Sequence, residues 1–576
     1  MNPKPSISGP RFRRRIIPLA ALALLTGVLL CRAFFPGAQP EAAEFSLTSP
    51  FFSGRNVLVL VPHQDDELNL TGGLLEQYLR GGSRVTIVYS TNGDYAGQSL
   101  ERSLEALAVA DRLGVPRENV IYMGYGDQWE PQEQQGLLRK HLYSSVEPEA
   151  VWTSHFGARQ TYGTDAIDCW EVCSYTRANF MRNLLDILRS VRPDVIFCTD
   201  YDPHHDHMAL DLFFGEAMGI LLAEDPDYHP QVYKGFCHAT AWKAPADFVG
   251  AQNILSCRKP TWEFWDRLEI LYNWEDRVRL PMGRENISRL LSENSVYRCL
   301  RLFESQNAHQ QAPAVLSGDK VFFRRRTDSL LYRAAFTAGG EIVSQWNDFK
   351  LKDSTDFSVR VNTGVRYGPE ILVTLPQPVR MDQLWLYDAS SPSDNITGGY
   401  VVFDDGTRLD FGPLNPGGDA TVIPFPERTV SSFTLFLPGT EGSAPGLTEI
   451  EAYLGDPESA AGPQLLMAVD EDDNFVYDYR TDPSGRAVFS LYAYPAGTVD
   501  GWEDVQISSR GQGCSAKVED DLLRITCPEG RQMTVTIRYS DEVQTTFTVR
   551  NPSADIRLQE DALQAGDAQS ALEPLK

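Results

Sequence analysis

The sequence predicts a doubly wound α/β domain with a mostly parallel sheet, followed by two all-β sandwich domains. Three observations carry that expectation. From Asn56 to about Glu224, strand-length apolar runs alternate with helical segments, the order of a parallel sheet. After about Gly340 the helical periodicity disappears, and short alternating runs between turn residues take over. At 576 residues the chain is too long for a single core.

The first element lies ahead of the sheet. "RFRRR" (Arg11 to Arg15) precedes "IIPLAALALLTGVLLC" (Ile16 to Cys31), a basic region followed by an apolar one. This reads either as a signal peptide or as an uncleaved N-terminal membrane anchor within residues 1–45, and both readings export the rest of the chain, to the extracellular space or the cell surface. "NVLVLV" is a near-continuous apolar run, as in a strand covered on both faces. "LTGGLLEQYLRGG" reads as a helix stopped by glycine, and "SRVTIVYSTNGD" as a second buried strand. "SLERSLEALAVADRLGV" predicts an amphipathic helix with Leu104, Leu107 and Ala108 on its buried side. "NVIYMGYGD" is a third strand, "YTRANFMRNLLDILRSVRP" a long helix, "DVIFCTD" a fourth strand and "DHMALDLFFGEAMGILLAE" a further helix. Residues 225–340 read as helices and loops that close this domain, which spans 46–340.

Residues 341–456 read as a β-sandwich: "GGYVVFDDGTRLDFGPL" is a hairpin about Asp-Asp-Gly, and "SSFTLFLP" and "LTEIEAYLG" are further strands. "GDPESAAGPQ" is a linker, 464–551 a second sandwich, and 552–576 a polar, disordered tail. "GCSAKVEDDLLRITC" predicts a hairpin that sets Cys514 opposite Cys527, at a separation suited to a disulfide. "CWEVC" places Cys169 and Cys173 four apart, as on one helix face, and no C-x-x-C pair suggests a cysteine zinc site.

With 52 basic against 78 acidic residues the net charge is −26, which repels nucleic acid and excludes it as a partner. Histidine marks where the chemistry sits. His63, Asp65, Asp66 and Glu67 fall where the first strand should end; Asp202, His204, His205, Asp206 and His207 fall where the fourth should end. Four of the nine histidines lie in these two clusters. In a parallel sheet both strand ends face one crevice, where ligands of such sheets bind. His63 and Asp66, three apart across a strand-to-helix turn, can face one point, and His207 can complete a three-ligand zinc site with a position open to water. Asp65 is then left to accept a proton. Taken singly, "HQDDE" also reads as an acidic helix start, and "HHDH" as a structural metal site or a solvated helix start.

These residues resemble the PIG-L/LmbE-like zinc de-N-acetylases. "PHQDDE" is similar to that family's Pro/Ala-His-x-Asp-Asp-Glu signature and "HHDH" to its His-x-Asp-His signature; "TNGD", "RSLE", "DRLGV" and "MGYGD" match its middle segment. The resemblance covers about residues 53–340 and implies a Rossmann-like α/β catalytic domain, one Zn2+ per chain, and hydrolysis of the N-acetyl group of an N-acetylglucosamine-type sugar. It implies that His63, Asp66 and His207 bind zinc and that Asp65 is the general base. His204 would stabilise the oxyanion or protonate the leaving amine, Asp206 would orient a histidine, and Arg102 would lie near the substrate. Gln64 departs from the usual Pro or Ala but is not a ligand position. Residues 341–456 resemble discoidin-like (coagulation factor 5/8 type C) sandwiches, chiefly through "GLTEIEAYLG". That implies attachment to carbohydrate such as cell-surface polysaccharide, with a spacer as the alternative. Residues 464–551 resemble immunoglobulin-like spacers.

The expected protein is an exported zinc deacetylase acting on a glycan or glycoconjugate, with residues 46–340 able to fold and act alone. The sequon "NLT" (Asn69 to Thr71) lies just behind the metal loop, where a glycan would obstruct the crevice, so a compartment without N-glycosylation is expected. The competing reading is a surface adhesion protein with a non-catalytic metal domain, against which the intact Asp65 speaks. A phosphoesterase is disfavoured by a single zinc and the lack of a basic phosphate cradle.

Overall fold

The computed structural model describes residues 44–45, 49–127, 153, 157–200, 202, 204–237, 255–259, 272–288, 291–351, 359–360, 370–389, 393–416, 419–499, 501–502, 505–558 and 561. The expected leader lies outside them except for Glu44–Phe45, which form a first short strand, β1. Among the described residues no helix is long and apolar enough to cross a membrane.

Asn56–Val61 (β2) is buried along nearly its whole length, as its apolar run requires. It leads through a tight turn into Asp66–Thr71 (α1), and the chain continues through Leu74–Arg80 (α2) to Arg84–Thr91 (β3). The single helix expected here is therefore two, broken at Gly72 and Gly73. A Cβ on Gly73 would fall 2.1 Å from the Asn286 amide carbon, so only glycine lets that segment approach.

Ser99–Leu113 (α3) buries Arg102, Ser103, Ala106, Leu107, Val109, Ala110 and Leu113. Of the three residues expected on that face, Leu107 is buried, Leu104 is half exposed and Ala108 is exposed. The helix is rotated so that Arg102 points inward, which an apolar count alone could not anticipate. Val120–Tyr125 (β4), Arg177–Val191 (α4), Val195–Thr199 (β5) and His205–Glu224 (α5) follow as expected. Cys169 and Cys173 lie on no helix; Cys169 bridges to Tyr122 at the sheet edge.

Residues 225–340 do more than close the domain. They supply Gln231–Gly235 (β6), Val278–Pro281 (β7) and Asp319–Arg325 (β8). The seven strands run β4-β3-β2-β5-β6-β8-β7, parallel from β4 to β6 and antiparallel at β8 and β7. The chain builds outward from β2 to β4, then returns to place β5 on the other side of β2. That reversal opens a crevice beyond the carboxyl ends of β2 and β5.

Beyond β8 the described residues are strands and turns, apart from the short helix Pro457–Ala460 and a helical stretch at 554–558. Ala335–Ala338 (β9), Glu341–Ile342 (β10), Val359–Arg360 (β11), Glu370–Asp388 (β12), Asn395–Phe403 (β13), Arg408–Phe411 (β14), Thr421–Glu441 (β15) and Gly446–Tyr453 (β16) form one eight-stranded sheet around its own apolar core. Its first strand starts six residues before the expected boundary at 341. The hairpin about Asp-Asp-Gly forms, with Val402 opposite Arg408.

Leu465–Val469 (β17), Asp478–Arg480 (β18), Arg486–Tyr494 (β19), Gln506–Arg510 (β20), Ser515–Glu519 (β21), Leu522–Thr526 (β22), Arg531–Arg538 (β23) and Gln544–Asn551 (β24) make a four-stranded and a five-stranded sheet. β1 completes the larger one, pairing antiparallel with β24. Cys514 and Cys527 stand opposite, their sulfurs 3.7 Å apart as free thiols rather than disulfide-bonded. Part of the segment expected to be a disordered tail is tied down: Arg557 donates to the Thr481 carbonyl, and Arg480 pairs with Asp561 at 2.8 Å.

Both all-β regions pack directly on the α/β domain. Arg325 of β8 meets Glu451 of β16 at 2.6 Å; Arg279 of β7 meets Asp473 at 2.8 Å; the hydroxyls of Tyr233 and Tyr494 lie 2.8 Å apart.

Candidate metal centre

β2 ends at Val61, and the next residues turn sharply. Asp65 has φ 114°, a left-handed conformation rare for a residue with a side chain, and it precedes α1. The turn sends adjacent side chains apart. His63 Nδ1 lies 3.0 Å from Asp66 Oδ2, which lies 3.2 Å from His207 Nε2, which lies 3.4 Å from His63 Nδ1. A tetrahedral zinc with bonds of about 2.0–2.1 Å sets its ligands about 3.3 Å apart. The triangle His63–Asp66–His207 therefore fits such an ion, with the fourth position open. Related groupings are His63, His204 and His207, and Asp66, His207 and Cys237, each with potential ligand atoms within 4.8 Å of one another.

Each histidine of the triangle offers its other ring nitrogen to a buried carboxylate. His207 Nδ1 lies 2.7 Å from Asp202 Oδ2, and His63 Nε2 lies 3.1 Å from Asp206 Oδ2 and 3.5 Å from Asp127 Oδ1. Such pairs fix tautomer and ring orientation at metal sites. His204 caps α5: its Nδ1 accepts from the Asp206 amide at 3.3 Å, so the neutral ring carries its proton on Nε2. The His204 ring centre is 4.7 Å from those of both His63 and His207.

Asp65 and Asp66 are neighbours with opposite electrostatics. Burial opposes ionisation of Asp66, but His207 and His63 outweigh it and hold the carboxyl well below its usual range. For Asp65, burial and then Asp66 push the carboxyl up to about 7, although Arg102 works against them. Environments that drive two carboxyls apart mark a division of roles, one permanently ionised and one able to exchange a proton near neutrality. On His207 burial works against the cation, yet Asp202 and Asp66 push it up to about 10. Burial pushes Glu67, behind the turn, up to about 8, with Asp65 adding to it.

Arg102 does not reach freely into the cleft. Its guanidinium donates to the Gln64 carbonyl at 3.0 Å, lies 3.4 Å from Asp127 Oδ2 and 3.7 Å from Asp65 Oδ1. Gly93, at φ 61°, makes room: a Cβ there would come within 2.8 Å of Arg102 Nε. The whole set opens to a cleft of about 430 Å³ lined by His63, Asp65, Asp66, Arg102, Asp127, His204 and His207, together with Asn69, Tyr95, Cys237 and Gln311.

All seven residues singled out in the sequence thus meet in one place. Sequence reasoning gave no role to Asp202, although it stood in the quoted cluster, nor to Asp127, which closes "MGYGD" at the end of β4. The rule that ligands gather at carboxyl strand ends would have found both. Cys237, at the end of β6, gave no such sign because "QVYKG" does not read as a strand.

A family model described as GlcNAc-PI de-N-acetylase (PIG-L) matches residues 58–218, and one for a domain of unknown function (DUF7402) matches 361–453. The chain is 28% identical over 176 residues to 1D-myo-inositol 2-acetamido-2-deoxy-alpha-D-glucopyranoside deacetylase 2 of Saccharopolyspora erythraea; the match covers 30% of this chain and 58% of that protein's length. Among solved structures it is similar to the N,N'-diacetylchitobiose deacetylase of Pyrococcus horikoshii, at 16% identity and TM-score 0.26, covering 54% of this chain and 93% of that one. It is also similar to a CBM32 module of Clostridium perfringens seen with GalNAc-beta-1,3-galactose, at 15% identity and TM-score 0.16, covering 21% and 93%.

Proposed function

We propose that this chain is an exported, zinc-dependent deacetylase that hydrolyses the N-acetyl group of an N-acetylglucosamine-type sugar in a glycan or glycoconjugate. The observation that carries the proposal is the ligand triangle of 3.0, 3.2 and 3.4 Å, with both its histidines backed by buried carboxylates. The match of residues 58–218 to a de-N-acetylase model supports the bond type.

His63, Asp66 and His207 would hold the ion, which when bound polarises an amide carbonyl and makes water acidic enough to attack near neutral pH. Asp65, 8% exposed at the cleft wall, accepts the proton of the attacking water. His204, protonated on Nε2, would donate a hydrogen bond to the carbonyl oxygen as it gains charge, and the proton taken up by Asp65 passes to the departing nitrogen, so that the C–N bond breaks to acetic acid and a free amine. Asp202 and Asp206 keep His207 and His63 in register, and Arg102 holds Asp65 and Asp127 in place. On this reading Arg102 positions carboxylates rather than gripping substrate. Export follows from the basic-then-apolar N-terminus. We read the two all-β regions as discoidin-like and immunoglobulin-like sandwiches, the first of them suited to carbohydrate.

The test is release of acetate from a panel of N-acetylated sugars and cell-surface glycans by the zinc-loaded full chain. Acetate should appear, stop with chelator and return with zinc. A protein that holds about one zinc per chain yet releases no acetate from any of them would favour the adhesion reading.

A further inference from the structure

Glu67 closes the quoted cluster "HQDDE", and the reaction above gives it no task. It is the second residue of α1 and fully buried, and its side chain turns back under the loop, where Oε2 accepts from the Asp65 amide at 3.0 Å. That amide belongs to the peptide unit between Gln64 and Asp65. The other end of the same unit, the Gln64 carbonyl, accepts from the Arg102 guanidinium at 3.0 Å. A trans peptide is planar, with its N–H and C=O pointing opposite ways. A carboxyl and a guanidinium thus grip one rigid plate from two sides.

The rotation between that plate and the Asp65 Cα is φ, and it stands at 114°, where a residue with a side chain is rarely found. Such a conformation persists only where the surrounding contacts enforce it. On the other side of the Cα the chain is fixed as well, because the Asp65 carbonyl accepts from the amides of Leu68 and Asn69, each at 3.1 Å. The Asp65 carboxylate itself has weaker support: its ion-pair partner Arg102 is 3.7 Å away, beyond hydrogen-bond distance. The metal ligands of the same loop are held differently. His63 is backed by Asp206 and Asp127, and Asp66 Oδ2 also accepts from the His63 amide at 3.1 Å. The aim of Asp65 therefore depends on its backbone, and the aim of its neighbours does not.

We propose that Glu67 is a positioning residue: with Arg102 it clamps the Gln64–Asp65 peptide and so aims the Asp65 carboxylate into the cleft. This rests on the deacetylase reading above. The clamp requires of Glu67 an acceptor oxygen at that spot, and it leaves the metal ligands in place when that oxygen is removed.

The experiment compares the zinc-loaded full chain with Glu67→Met and Glu67→Gln, each alone and combined with Asp65→Asn, by zinc content and by acetate release from N-acetylglucosamine. Methionine fills the space of the glutamate without an acceptor oxygen. Glu67→Met should hold about one zinc per chain and lose at least about tenfold in kcat, with KM changed less than about twofold. Glu67→Gln, which keeps an acceptor, should retain at least about a third of kcat. In the Asp65→Asn background Glu67→Met should cost less than about twofold more, because no base is left to aim. A merely structural role would cost the same factor in both backgrounds. That result, or loss of zinc by Glu67→Met, overturns the proposal. Should Glu67→Met fail to fold, Glu67→Asp takes its place, one methylene too short to reach the amide. Crystals of the zinc-loaded variant give a second readout that needs no turnover: residue 65 should leave its φ of 114°, and retention of that angle overturns the clamp. If no sugar releases acetate, the deacetylase reading fails separately, and the crystal readout still decides the clamp.

Discussion

Two buried clusters of charge sit on the same α/β domain, and they are built on opposite principles. At the crevice beyond β2 and β5, Asp65, Asp66, Asp127, Asp202 and Asp206 gather with Arg102 as their one arginine partner among the described residues. At the junction with the all-β regions, three consecutive arginines, the last two of β8 and the residue that follows it, each find acids. Arg324 meets Asp456 and Glu458, Arg325 meets Glu451, and Arg326 meets Asp328. The strand's alternation sends Arg325 to one face and its neighbours to the other. Glu451 is closed off further by the hydroxyls of Tyr387 and Tyr453, at 2.9 and 2.7 Å. At the junction each arginine is answered by at least one acid, with Glu449 a further acid 3.8 Å from Arg325, and these pairs act as mortar. The crevice carries a surplus of negative charge, and burying such a surplus is costly unless a cation answers it. The crevice thus sets its carboxylates around two histidines within reach of one point, whereas the joint gives each arginine its own acid.

The sharpest way to break the comparison is to remove one side of the joint. A chain ending after residue 340 leaves Arg325 without Glu451, Tyr233 without Tyr494, and Arg279 without Asp473. The expectation from the sequence that residues 46–340 fold and act alone is revised accordingly. Such a truncation should be insoluble or lack a cooperative thermal transition, and a melt within about 5 °C of the full chain would show that the joint is dispensable.

At the crevice, Asp65→Asn should keep about one zinc per chain and lose roughly 10²–10⁴ in rate, the range for a general base. Asp66→Asn and His207→Ala should instead lose metal, with excess zinc partly restoring activity to the Asp66 variant. Metal content and acetate release at saturating zinc separate these outcomes. Loss of metal by Asp65→Asn with retention by Asp66→Asn would exchange the two roles.

The smallest effect expected is at the joint's centre. Arg325→Ala should cost about 3–5 kcal/mol by leaving Glu451 buried and unpaired, while the double change Arg325→Met, Glu451→Leu should recover most of it. Denaturant unfolding of the single and double variants measures both. A double variant no better than the single one would mean that this pair does not behave as a self-contained balance.

How much of this was legible in the sequence follows from the same contrast. The ligand triangle could be read because His63, Asp66 and His207 interrupt two apolar strands at their ends, where neither core nor turn needs them. Arg102 was found through motif resemblance, and its setting was not. It faces inward from a helix whose Leu104 and Ala108 are exposed and whose Leu107 is buried, so apolar periodicity caught only part of the buried side. The joint was not legible at all. In "FFRRRTD" Arg326 finds Asp328 two residues on, but the acids that answer Arg324 and Arg325 lie more than a hundred residues away. Pairwise complements at that distance leave no local pattern. Within residues 225–340, β7 and β8 were hidden for a related reason: they pair antiparallel at the edge of the sheet, outside the alternating order that revealed the others, while β6 is parallel but its "QVYKG" has no apolar run.

β1 bears on how the molecule comes to be made. Glu44 and Phe45 align with Thr546 and Thr545, and Ser49 hydrogen-bonds to the Gln464 carbonyl across 415 positions of sequence. Synthesis runs from the N-terminus, so the segment that leads into β2 waits for its partner strand until nearly all of the chain has appeared. Contacts of such separation are slow to form, and the apolar surfaces that await them stay exposed meanwhile. Assembly is thus a late closure, in which β24 secures a strand made about 500 residues earlier.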